Sequence, residues 1–293
     1  MLRSSFWLLL ALACTAAPSV QAQARIGGQG KLLLTGGVSS IDGAAGGGLT
    51  PWALTASYAT EGELGATAHV TRATTQDYAL TTYGVAIGWN DRVELSLARQ
   101  DFDAGVVVPG TTLRQTIAGL KLRLIGDAVL DSDSWRPQLA VGVEFKHLEP
   151  GAAVGGVLDA VQARRSGTDL YLSATKLLLA QGLLLNGTLR ATKANQNGLL
   201  GFGSSAHTGY RVEPEVSVAW LLRKNIALGA EYRAKPNNLA FASEAFREQA
   251  WKDLFIAWAP CKHASLTLAY VDLGNIVGHP RQTGAYASLQ LAM

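Results

Sequence analysis

The chain has 293 residues, 48% hydrophobic and only 16% charged, against roughly 25% charged residues in ordinary globular domains. Its 25 Lys and Arg against 22 Asp and Glu leave a net charge of +3. That excess is too small and too scattered for a nucleic-acid binder, and the chain is too apolar for disorder. Two cysteines, Cys14 and Cys261, exclude a disulfide scaffold.

Residues 1–24 read as a secretory signal. Arg3 supplies the positive start, Phe6 to Ala13 a short apolar run, and Val20-Gln21-Ala22 and Ala22-Gln23-Ala24 the small-residue cleavage sites. Cys14 is read as an incidental residue of the signal rather than a lipidation site. Residues 25–293 then form one domain.

No later window holds the roughly 18 consecutive apolar residues of a membrane-spanning helix. Strict alternation recurs instead. Leu139, Val141, Val143 and Phe145 oppose Gln138, Ala140, Glu144 and Lys146; Val212, Val216, Val218 and Trp220 oppose Glu213, Glu215 and Ser217. A period of two is the mark of a strand with two different faces. The alternation predicts about 14 strands, near 31–37, 50–58, 63–72, 78–89, 92–100, 113–125, 136–147, 168–178, 183–192, 210–221, 226–233, 251–259, 264–271 and 284–293, with twelve as the alternative count. Most are long enough to cross a tilted bilayer. Short connections such as Asn90-Asp91 alternate with long ones such as 148–167 and 193–209, as periplasmic turns alternate with external loops. Two connections break the rule: 126–135 is long for its side and 73–77 short. The reading is all-β, a transmembrane antiparallel up-and-down β-barrel in the outer membrane of a Gram-negative bacterium.

Aromatic residues fall at two levels of this layout. Tyr58, Trp89, Trp220 and Trp258 close downward strands, Trp52 and Tyr210 open them, and Phe145, Tyr232 and Tyr270 end upward ones. That is the pattern of two interfacial girdles. Tyr78 and Trp251 fall off it. The chain ends in an amphipathic strand, with Ala287, Leu289, Leu291 and Met293 on one face. Its form resembles the signal read by the outer-membrane assembly machinery, although that signal usually ends in Phe or Trp.

Parity assigns the charges to the lumen: Lys121, Arg123, Glu144, Lys146, Lys176, Arg190, Arg211, Glu213, Glu215, Glu231, Arg233 and Asp253. Two readings stay open. Basic and acidic walls facing each other would set up a transverse field that orients polar solutes, or neighbouring charges pair and fill a narrow interior. The Gly-rich run 36–48 lacks the Lys-Ser/Thr end and following helix of a phosphate loop. It is read as an external loop, with a plug formed by 25–48 as the alternative. Histidines 69, 147, 207, 263 and 279 are dispersed, without metal-ligand spacing. Ser204, Ser205 and His207 share a loop but lack the context of a triad. No enzyme activity and no cofactor are expected.

Lys31 to Trp52, Thr75 to Thr81, Leu185 to Arg190, Leu199 to Gly203 and Ala269 to Gly274 together resemble a proteobacterial family of exported proteins without known activity. The chain also generally resembles outer-membrane β-barrel proteins. The leading functional expectation is a monomeric channel for small polar solutes. The alternatives are a closed barrel with a structural or surface-interaction role and, third, a soluble β-sandwich. The expected partners are outer-membrane lipid, the assembly machinery and an unidentified small solute, with no nucleic acid.

Overall fold

A computed structural model describes residues 25–26, 30–105, 107–129, 131 and 134–293. The signal at 1–24, Cys14 with it, and residues 27–29 of the 25–48 stretch lie outside the described residues.

Twelve antiparallel strands form one closed sheet. They are β1 (Glu63–Thr75), β2 (Ala79–Trp89), β3 (Val93–Asp103), β4 (Thr112–Ile125), β5 (Gln138–Glu149), β6 (Ser166–Leu178), β7 (Leu183–Thr192), β8 (Arg211–Arg223), β9 (Ile226–Arg233), β10 (Trp251–Cys261), β11 (Ala264–Asp272) and β12 (Thr283–Ala292). Each pairs with its neighbour in sequence. β1 also pairs with β12, from Thr75 opposite Gly284 to Thr67 opposite Ala292, so the sheet has no free edge. Among the described residues no helix is long and apolar enough to cross a membrane.

Side-chain parity explains the closure. On β3, Glu94, Ser96, Ala98 and Gln100 point inward and are buried, while Leu95 and Leu97 point outward, 55% and 53% exposed. The same division holds round the whole wall, so outward Val, Leu, Ile and aromatic residues make a continuous apolar belt. A soluble monomer does not expose such a surface.

One end carries mostly tight turns. At Asn90 and Asp91 both residues take left-handed φ, 56° and 49°, the conformation a two-residue hairpin turn requires. The other end carries the longer connections. One of them, between β5 and β6, holds α1 (Gly151–Val161), which buries Val154, Leu158 and Val161 at helical spacing against Leu113, Leu148, Leu200 and Leu239.

The two stretches expected as strands at 31–37 and 50–58 are not in the wall, and residues 36–48 are not an external loop. Every residue from Leu34 to Ala59 is buried inside the barrel. The segment enters at the turn end, rises to Asp42 and returns, with a two-rung ladder of Val38–Ser39 on Ala45–Gly46 and a single bridge of Gly46 on Pro51. Leu34, Trp52 and Leu54 pack at the turn end on Leu177, Leu184 and Phe255. Ile41 and Leu49 pack higher up on Leu80, Trp251, Val271 and Tyr286. Small residues make the fit: a Cβ on Gly47 would collide with the Glu231 carboxylate. The long turn-end connection 126–137 also serves the plug, because Ala128 and Val129 tuck beneath it.

Candidate functional site: the occupied lumen

The plug offers the lumen mostly backbone, and the wall answers with side chains. Near the turn end, Glu94 accepts the Ala45 and Ala56 N–H groups at 3.1 and 2.7 Å. Lys121 donates to the Ala45 and Leu54 carbonyls at 2.7 and 2.9 Å and pairs with Glu94 at 3.2 Å. Gln138 donates to the Ala53 carbonyl at 2.6 Å, and the Ala53 N–H donates to Thr175 at 2.8 Å. At mid-height Glu231 accepts the Leu49 N–H and the Thr50 hydroxyl, each at 2.7 Å. Arg233 donates to the Leu49 carbonyl at 2.9 Å. Bonds of this kind replace the water an empty lumen would hold, which is what lets irregular backbone sit at membrane depth.

Above them lies an ion network built round the top of the plug. Asp42 pairs with Arg233 at 2.8 Å and Lys146 at 3.4 Å, and accepts from the Asn197 amide at 2.7 Å. Lys146 also meets Asp169 at 2.9 Å and Glu144 at 3.3 Å. Arg190 bonds Glu144 at 2.8 Å and also Glu215, which Arg233 reaches at 3.3 Å. All these side chains are essentially buried, so each depends on its partners in place of solvent.

The sequence-assigned lumen residues therefore divide. Lys121, Glu144, Lys146, Arg190, Glu215, Glu231, Arg233 and Asp253 are buried inside the wall. Asp253 lies against Glu231, with no ion-pair partner among the described residues. Lys176 is buried at the turn end and donates to the Asp131 carbonyl at 2.5 Å. Arg123, half-buried at the same end, pairs with Asp91 and Asp127. Arg211 and Glu213 are corrections. They have inward parity but begin β8 at the loop rim, so Arg211 is exposed beside His207 and Glu213 is half-buried. Lys121, Glu144, Lys146, Arg190, Glu215, Glu231 and Arg233 bond each other and the plug, and do not stand as two free walls.

Seven of the girdle residues, Trp89, Phe145, Tyr210, Trp220, Tyr232, Trp258 and Tyr270, project outward near the ends of the strands, between 41% and 58% exposed. Trp52 and Tyr58 do not. Both belong to the plug and are 5% exposed: the Trp52 indole N–H donates to Ser217, and the Tyr58 hydroxyl accepts the Leu34 N–H. In the 193–209 loop, Ser204 donates its hydroxyl proton to the Asn238 carbonyl at 2.9 Å, and the His207 ring faces Arg211.

Glu94, Asp169, Gln100 and Asp42 were not singled out in the sequence. The first three have inward parity on β3 and β6, a signal that was available. Asp42 stands in the Gly-rich run, and only the position of the plug gives it a partner.

No curated protein sequence matches the chain. Among solved structures, the NanC porin is similar with a TM-score of 0.50 at 7% identity, over 78% of this chain and 98% of that one. The KdgM porin gives 0.49 at 8% identity over 77% and 98%, and an outer-membrane channel from Pseudomonas putida F1 gives 0.44 at 11% over 78% and 95%. At 7% identity the likeness to the NanC porin is one of fold: this is a closed β-barrel of the outer-membrane kind. The sequence itself matches a family described as "Protein of unknown function (DUF3034)" over residues 35–290, nearly the whole of plug and wall, and the chain belongs to that family.

Proposed function

We propose that the protein is a Gram-negative outer-membrane barrel for the passage of small polar solutes, held closed at rest by its own residues 34–59. The outer-membrane placement rests on the apolar belt and its outward aromatic residues. The closed state rests on one observation: the inward side chains that would line an open pore bind the plug instead, Glu94 and Lys121 at one level and Arg233 with Lys146 at another. The passage itself is supported by the chemistry of that interface. It consists largely of hydrogen bonds and ion pairs, which water and solute can replace group by group once the plug shifts. The reading carries no catalytic step.

Planar-bilayer recordings test it. The intact protein should insert and pass no steady current. Replacing Glu94 and Glu231 with Ala removes the acceptors for Ala45, Leu49 and Ala56, and the variant should open intermittently. If the variant inserts, keeps its folded mobility on unboiled gels and stays silent, the passage reading fails. The closed barrel with a structural or surface role then takes its place. The observation favouring that second reading is the completeness of burial from Leu34 to Ala59.

A further inference from the structure

Above the plug, at the loop end, the connections fold inward and leave an apolar cavity of about 160 Å³. Leu80, Phe102, Val157, Leu200, Phe246 and Ile276 are among the residues of its wall, which come from all six loop-end connections and their flanking strands. The polar side chains beside it are largely committed elsewhere. The Tyr78 hydroxyl donates to the Ile276 carbonyl at 3.0 Å. The Gln196 amide donates to the Asn275 carbonyl at 3.0 Å and accepts from Lys235 at 2.7 Å. Of these polar groups, the Trp251 indole N–H alone is buried without a partner among the described residues. A water molecule needs two to four polar partners to be held in such a space.

Size and lining together define a ligand. A cavity of about 150 Å³ lined by Leu, Ile and Phe stays dry and takes up benzene. The cavity has a way in: Val107, Val108, Val157 and Phe246 are only half-buried, so it reaches the loop surface between α1 and two neighbouring connections. It also has a floor in contact with the plug, because Leu80 and Trp251 pack in the same cluster as Ile41 and Leu49. We propose that this cavity is a binding site for a small apolar molecule of about the size of one aromatic ring, admitted from the loop side. The proposal does not depend on passage through the lumen.

Bromobenzene soaked into crystals of the mature protein locates the ligand directly. Thermal unfolding of the detergent-solubilised protein in a toluene series gives its affinity, since a ligand of the folded state raises the midpoint as ln(1 + [L]/Kd). The expected result is a bromine anomalous peak between Phe102 and Leu200, with a rise in the midpoint that follows this logarithm. Ala104→Phe points a ring into the space from a buried wall position. It should weaken toluene binding at least tenfold and remove the peak. Should Ala104→Phe lose its folded gel mobility, Val157→Phe on the half-exposed face of α1 replaces it. Bromine only on the outer wall, or equal toluene stabilisation of wild type and the cavity-filled variant, would overturn the proposal.

Discussion

Lys146 stands wholly buried with Asp42, Glu144 and Asp169 within 3.4 Å of its ammonium group. Removing one member of such a set leaves buried charge without compensation, at a cost of about 3–5 kcal/mol. Lys146→Met should therefore lower the temperature at which the folded band disappears from unboiled gels, and by far more than a rim change such as Arg211→Met. Glu248 makes a different case at the loop end. It accepts the Gln196 N–H at 2.9 Å and meets Lys235 at 3.5 Å. Burial pushes its carboxyl up to about 7, against the pull of Lys235. A raised carboxyl favours the folded state in its protonated form. Its contribution is thus fully present below about 4.5 and lost as pH rises through about 7. Amide exchange at Gln196 should slow as pH falls across that window, after correction for intrinsic rates, and Glu248→Gln should abolish the change. Lys235, pushed down to about 8 by its own burial, varies only above that range. None of this pairing was legible in the sequence. Parity tells which face a charge takes but not its height, and Asp42 gains its partners only from a segment with no periodic signal of its own.

At the scale of the strand, the sequence was far more informative. The spans expected from alternation match β1 to β12 to within a few residues, because each strand has lipid on one side and polar groups on the other. The failures at 31–37 and 50–58 share a cause. Trp52, Leu54, Ala56 and Tyr58 alternate as a strand would, but the chain there bends at 53–54 and 56–58, Ser57 takes a left-handed φ of 73°, and both of its sides are buried. Period two marks a strand only where the two sides of the chain meet different surroundings, and inside the barrel both sides of this segment meet the same packed lumen. The two-faced wall can be tested at Leu172, mid-strand on β6 and 44% exposed. Leu172→Arg places a cation on the lipid side near mid-depth, costing about 2–4 kcal/mol. Refolding yield into lipid vesicles should fall sharply. Leu172→Phe, which keeps that side apolar, should refold like the wild type.

For the molecule as a whole, wall and filling are adjacent in the chain. Residues 34–59 run into β1 through Thr60, Glu61 and Gly62, and β1 is the strand that meets β12 to close the ring. Chain order then fixes an order in time. Residues 34–59 leave the ribosome before any part of the wall, whereas the β1–β12 seam has to wait for Thr283 to Ala292, the last strand made. The oldest part of the molecule is its centre and the youngest is its fastening. The plug is accordingly tethered to one of the two strands that the seam joins, so closing the ring encloses a segment already fixed to its edge.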